Sequence, residues 1–258
     1  EIYYNSKVKE ITTEGKRVSG IILDNNEKIN CNYVVSNADI WSSLNMLKKY
    51  KTNKWYKKRI ETKKCNSFLH MHLGFNSEGL KNLPLHSIWV GNWQKGITAE
   101  RNCVILSIPS IIDKDLSPKG FHLLHGYTPA NEPWDIWKDI KYKSPEYEKL
   151  KQERCSIFWK PLEKLIPDIK DRIEIQLLGT PLTHRIFTNT SNGSYGPAIS
   201  ANKSLFPSGK TPIKNLYLCG SSTFPGIGVP PVAASGALAA YSILGIKLQK
   251  NFIKELQI

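Results

Sequence analysis

Apolar and polar residues alternate in short runs over the first 36 positions, the two-residue period of half-buried strands. Val8, Ile11, Val18, Ile21, Ile22, Val34 and Val35 supply the apolar side. Glu14-Gly15 and the polar run DNNEKI are turn signals between them. The opening stretch EIYYNSKVKEI already carries the strand pattern, which predicts β structure from the first residue and a third strand over NCNYVVS.

Past about Ile40 the period changes. IWSSLNMLKKYKTNKWYKKRIE predicts a helix followed by a lysine-rich exposed turn. NSFLHMHLGF alternates as a strand, and HSIWVG, NCVILSIPS and GFHLLHGYTP predict three more. Residues 144–166 have the spacing of an amphipathic helix that starts on Ser144 with Glu146 and Glu148, and Pro161 should kink or split it. RIEIQLL reads as a strand, GTPLTHRIFTN as a turn into a short helix with Pro181 near its start, and IKNLYLC as a short apolar strand. The expected class is α/β (α+β). The two ends build one unit and the middle inserts as another.

The 258 residues carry 36 Lys and Arg against 22 Asp and Glu, a net charge of +14. The lysines are scattered, which fits a solvated surface or a face that docks on anionic lipid. No helix-turn-helix, zinc finger or RNA-stacking motif accompanies them, so nucleic acid is not an expected partner. Cys31, Cys65, Cys103, Cys155 and Cys219 are odd in number and form no CxxC, which predicts free thiols in a reducing compartment.

From Asn215 to Ile246 there is no charged residue. Pro225, Pro230, Pro231, Gly220, Gly226 and Gly228 break the first half. About 15 residues remain for a helix, about 22 Å long and short of a hydrocarbon layer about 30 Å thick. A membrane span is excluded on that ground. A strand, a glycine-rich bend and a helix of small residues remain. Gly226 and Gly228 let backbone approach a ligand closely, and the helix start favours an electron-rich edge. A buried helix after a tight turn explains the same residues equally well.

His70 and His72 alternate on one strand and share a face, but spacing offers no third ligand, and His122 and His125 fall in another strand; no metal site is expected. His184 and Arg185, with Tyr195 and Gly196 downstream, could orient a ligand or aid a proton transfer, or form a helix-surface pair beside a glycine turn. The tryptophans of the middle region fit a core or an apolar tunnel. The lysine run at 48–64, interleaved with Trp55 and Tyr56, fits a solvated surface or a membrane-docking face.

NLYLCGSSTFPGIGVPPVAASGALAA resembles the C-terminal flavin motif of the phytoene desaturase and carotenoid isomerase group of FAD-dependent oxidoreductases. VSGIILDNNEKINCNYVVSNAD resembles the segment that closes that group's FAD domain, and GTPLTHRIFTNTSNGSYGP is most similar to its isomerase branch. The resemblance implies the C-terminal half of a two-domain FAD-dependent oxidoreductase fold: an incomplete dinucleotide-binding domain plus a mixed-sheet substrate domain. Residues 1–40 would belong to the FAD-binding domain, 41–210 to the substrate domain, and 211–258 would return to the FAD-binding domain.

It further implies Val8 at the adenine end, and Ser36, Asn37 and Ala38 at a strand end near the dinucleotide. Gly220 and Ser221 would approach the pyrophosphate and ribityl chain, where many relatives have an aspartate in place of Ser221. Gly226, Gly228 and Val229 would turn backbone toward the flavin ring, with His184 and Arg185 as the catalytic pair. The GxGxxG unit that holds the ADP half is not in this sequence, which would then be part of a longer chain or need an N-terminal partner chain; alone it would bind FAD weakly or not at all. The implied activity is cis–trans isomerisation of a carotenoid polyene. The alternatives are a desaturase or polyene saturase of the same family, or a non-catalytic half-protein. The implied location is peripheral, on a pigment-synthesising thylakoid or plasma membrane with an anionic surface, and otherwise cytoplasmic.

Overall fold

The computed structural model describes residues 1–200 and 205–255. Strands β1 (Val8–Glu14) and β2 (Arg17–Leu23) pair antiparallel across Gly15, and β3 (Lys28–Asn30) joins the far side of β2. Glu1–Lys7 are exposed and lie outside the sheet, contrary to the expectation of a strand from the first residue. The alternation there has no partner: the first bond on that side runs from the Asp24 amide to the Lys7 carbonyl, at 2.9 Å. After β4 (Val34–Ser36) the chain enters α1 (Ile40–Asn45), whose first turn is capped by Asp39 accepting from the Ser42 amide at 2.7 Å. A 3-10 turn at Lys48–Tyr50 and α2 (Lys54–Ile60) follow. The predicted lysine-rich turn is thus itself partly helical, because Asn53 caps the Trp55 amide and restarts the helix.

The middle of the chain is a five-stranded antiparallel sheet. Its strands are β5 (His70–Asn76), β6 (His86–Val90), β7 (Cys103–Ser107), β8 (Phe121–Tyr127) and, after the helices, β9, in the order β6-β7-β8-β5-β9. Between β8 and β9 lie α3 (Pro145–Cys155), α4 (Trp159–Leu165) and α5 (Ile169–Arg172). The predicted 144–166 helix is divided at Ser156–Phe158, one turn upstream of Pro161. Pro161 has no N–H for the carbonyl four residues back and its ring clashes there, so the break falls on that turn. β9 (Ile173–Gly179) then runs beside β5, and Thr180 opens α6 (Pro181–Thr188) through a reciprocal cap with Thr183.

Alternation on β5 sets what each sheet face does. Leu69, Met71, Leu73 and Phe75 point into a core with Leu124, Phe158, Leu162 and Ile166. His70, His72 and Gly74 therefore face the other way. Glu132 is buried beside this core, where it accepts from Arg154 and from the Trp137 indole.

The chain then builds β10 (Leu216–Leu218), parallel to β4, followed by α7 (Val229–Ile243) and α8 (Ile246–Glu255). The sequence reading had not assigned α8. The chain forms two compact units, residues 1–64 with 196–258 and residues 65–195. The divisions at 64/65 and 195/196 lie inside the 41–210 span expected for the substrate domain, so the second unit is the shorter segment. Ile40, Trp41 and Leu44 explain the first shift: they are core residues of the first unit, with Ile11, Leu216 and Leu218.

Candidate functional site

The first unit gathers the glycine-rich segment around two strand ends. β4 and β10 run in register from Val34 beside Leu216 to Ser36 beside Leu218. The Cys219 amide then donates to the Ser36 carbonyl at 2.9 Å. Gly220 follows with φ of 98°, and a Cβ there would stand 2.5 Å from Oδ1 of Asn37. Glycine is needed because the two strand exits converge at that point. The Gly220 amide donates to Oγ of Ser235 at 2.8 Å, and Ser235 donates to the Val232 carbonyl, so one buried hydroxyl ties α7 to the end of β10. Ser222 reaches the Ile40 amide at 2.8 Å. Ser36 and Ser43 share a hydrogen bond of 2.8 Å, and Ser43 donates to the Ala38 carbonyl.

Ser36, Asn37, Ala38, Gly220 and Ser221 are thus brought together at one edge. Val8 stands apart, at the start of β1 opposite Leu23. Ser43, Ser222 and Ser235 were missed by sequence reading. The available signal was a lone hydroxyl, Ser235, within the small-residue turn AASGA.

The bend itself divides. Gly226 is buried, and a Cβ on it would meet the Phe206 ring at 3.1 Å, so packing within the unit accounts for that glycine. Gly228 precedes α7 with φ of 103° and no capping side chain, and Val229 is 84% exposed. Pro230 and Pro231 have no N–H, so the amides at the helix tip are those of Gly228 and Val229. An open, uncapped helix start of this kind suits the electron-rich edge of a planar ring.

The second unit gathers histidines. On the outward face of the sheet His72 lies opposite His125, and His70 opposite Tyr127. Nδ1 of His70 and Nε2 of His125 are 2.7 Å apart, with ring planes within 1°. His72 stacks on His125 at 4.5 Å. One ligand atom from each of His70, His72 and His125 lies within 4.8 Å of the others. This corrects the expectation that the strand carrying His125 leaves His70 and His72 without a third ligand, because β8 is the immediate neighbour of β5.

His184, from α6, packs 4.8 Å from His70. Arg185 does not join it; its guanidinium lies over the Trp134 ring, 5.5 Å from the centroid. Successive helical side chains diverge by about 100°, which separates the predicted pair. Tyr195 meets Phe68 edge-on at 4.3 Å, and Phe68 lies against His70 and His184.

Burial pushes His70 down to about 3, helped by His184, His125 and His72, and pushes His125 down to about 4, helped by His72. Burial also lowers His72 and His184. The imidazoles of His70 and His125 are therefore neutral at pH 7. Exposed Ile88, Ile175 and Leu177 are on the same face, by register with β7 and β5. The face is apolar and carries uncharged imidazoles. Among the described residues no helix is long and apolar enough to cross a membrane.

The flavin-containing amine oxidoreductase family matches residues 1–244, and the chain belongs to that family. Its mixed helix-and-sheet fold is shared with a solved oxidoreductase from Methanosarcina mazei, at a TM-score of 0.56 and 17% identity over 90% of this chain and 48% of that one. Among curated relatives, the chloroplastic prolycopene isomerase of Daucus carota is 32% identical over 252 residues, 94% of this chain and 40% of that protein. The lycopene-forming phytoene desaturase of a Paracoccus species is 25% identical over 263 residues, 95% and 50% respectively. The chain spans less than half the length of the prolycopene isomerases it matches.

Proposed function

We propose that this chain forms the ring-side and substrate-side portion of a flavin-dependent carotenoid cis–trans isomerase. The observation that carries the reading is the outward face of the five-stranded sheet. Ile88, Ile175 and Leu177 are 69%, 60% and 62% exposed there, beside imidazoles that burial keeps uncharged. An extended hydrocarbon gains about 25 cal/mol for each Å² of apolar surface removed from water against those exposed side chains. Identity of 32% to prolycopene isomerases, against 25% to a phytoene desaturase, favours isomerisation over net oxidation.

Bound FAD would supply reversible electron donation to the conjugated chain, the chemistry that lowers a double bond's order and lets it rotate. The residues of this chain bind and orient. Gly228 and Val229 offer backbone amides and the positive end of α7 to the ring edge. Ser235 holds that helix against the end of β10 through the Gly220 amide. Ser36, Asn37, Ala38 and Ser221 line the strand edge for the ribityl and pyrophosphate side, and Val8 is assigned to the adenine end by resemblance alone. Gly226 supports the bend from beneath. His184 keeps its Nε2 buried without a partner, ready to hold or pass a proton at that atom, whereas Arg185 braces α6 on Trp134.

A second reading is favoured by α7. Ala233, Ala234, Leu238 and Ala240 are exposed on an uncharged helix, beside a parallel sheet that has two strands among the described residues. Parallel sheets are ordinarily covered on both faces, so we read α7 as the seat for a nucleotide-binding segment that carries the ADP half, in the same chain or a partner chain. Peripheral attachment to an anionic pigment membrane is supported by α8, where Ile246, Leu248, Phe252 and Ile253 are exposed beside Lys247, Lys250 and Lys254.

Product analysis tests the activity. With flavin and a poly-cis carotene, the expected product has altered double-bond geometry and an unchanged mass. A product two hydrogens lighter assigns a desaturase, and no conversion by flavin-loaded protein rejects the enzyme reading.

A further inference from the structure

One histidine of the outward sheet face and one of α6 share a feature that polyene binding does not require. Nε2 of His70 is buried with no hydrogen-bond partner, and so is Nε2 of His184. An unpaired buried nitrogen is costly, so each marks a place where a ligand or proton can be taken up. Three strand positions in two adjacent strands direct their imidazoles to one point: His70 and His72 share a face of β5, and the β5–β8 register sets His125 opposite His72. The backbone makes room for this. Gly179, opposite His70 on β9, would put a Cβ 3.3 Å from the His70 Cβ if it were any other residue.

We propose that His70, His72 and His125 form a binding site for a divalent first-row transition-metal ion of the zinc type, which no part of the flavin reading assigns. Three imidazoles with a fourth position open to water are a recurrent zinc donor set. Around a tetrahedral ion with metal–nitrogen distances of about 2.0–2.1 Å, ligand nitrogens stand about 3.4 Å apart. In the cluster one nitrogen from each histidine lies within 4.8 Å of the others, and Nδ1 of His70 and Nε2 of His125, 2.7 Å apart, share a hydrogen bond whose proton the ion would replace as the two rings part. Imidazole χ2 torsions are broad, so the parallel rings turn onto an ion without backbone movement. His72 is exposed and leaves an entry path and the open position. His184 lies outside the trio, its ring 4.8 Å from that of His70. Nitrogen donors without sulfur or carboxylate select zinc, copper or nickel over magnesium or calcium.

The test needs neither flavin nor carotenoid, so its result is independent of the proposed activity. Tag-free protein is stripped with a chelator and titrated with Zn²⁺ against a chromophoric competitor. One ion per chain is expected. His72→Ala and His125→Ala should weaken binding at least about tenfold, and His86→Ala, on the edge strand of the same sheet, should leave it unchanged. Because His72 is exposed, His72→Ala should fold normally, and Zn²⁺ should raise the melting temperature of the unsubstituted protein but not of this variant. Co²⁺ should give the visible bands of a four- or five-coordinate nitrogen site. Absence of stoichiometric binding, or binding that survives His72→Ala, overturns the proposal.

Discussion

Arg154 grips Glu132 in a fork, Nε to Oε1 at 2.9 Å and Nη2 to Oε2 at 2.8 Å, with the carboxylate inside the second unit. Trp137 donates to the same carboxylate, and Glu100 reaches the outer side of the guanidinium. Breaking such a pair strands one charge in a dry interior. Glu132→Ala and Arg154→Ala are each expected to lower unfolding stability by about 3–5 kcal/mol, while replacing both with Met should recover most of the loss. Urea denaturation of the three variants measures this, and equal losses in single and double variants would show that the pair is not the cause.

Gly220 has a positive φ of 98° and Asn37 Oδ1 where a Cβ would go. Gly220→Ala combines backbone strain of about 1–3 kcal/mol with that overlap. Adding Asn37→Ala should relieve the overlap and leave the strain, so the double variant is expected to fall between the native protein and Gly220→Ala in melting temperature.

Val229 is exposed at the first position of α7. An aspartate there stabilises the helix by its position at the positive end, about 0.3–1 kcal/mol. Val229→Asp should therefore leave the fold intact while repelling an electron-rich ring edge. Flavin absorbance retained after gel filtration should fall, with no loss in melting temperature. Unchanged flavin content would remove the tip of α7 from the cofactor site.

Cys155 is a buried thiol pushed up to about 12 by burial and by the Glu132 charge. In the unfolded chain it ionises near its ordinary value of 9.0. Between those values the native state holds a proton that the unfolded state has lost, so stability falls as pH rises, by about 1.4 kcal/mol per unit. This component is fully present below pH 9.0 and should be absent from Cys155→Ala. Alkylation with peptide mapping at pH 8 should label Cys155 only after unfolding.

The three lysines of α8 lie on one side of a helix whose other side is apolar. Replacing Lys247, Lys250 and Lys254 with glutamate should abolish flotation with anionic vesicles and leave weak binding to neutral ones unaltered, since each lysine near such a surface contributes about 1 kcal/mol. Retained flotation of the triple variant would place the contact elsewhere.

Local periodicity carried the elements well. β5, β8, β9, α6, β10 and α7 all lie where alternation, caps and breakers put them, because each depends on neighbours a few residues away. The family is legible for the same reason: the glycine-rich bend and its uncharged helix are contiguous in sequence. What local pattern could not show is pairing. His70 and His125 are 55 residues apart, and only antiparallel register brings their nitrogens together. Arg185 is adjacent to His184 in sequence, yet helical geometry sends it to Trp134. Gly226 and Gly228 look alike in the motif, but one is packed under Phe206 and the other is open.

The sequence by itself therefore determined most of the strands and helices, though not α8 or the unpaired first seven residues, and the family they belong to, since propensity, capping and a contiguous motif act over short range. The tertiary structure alone decided where the two units divide, which glycines meet neighbours rather than open space, and that three histidines converge. Those outcomes depend on strand register and core packing between residues far apart in the chain, which no local pattern encodes.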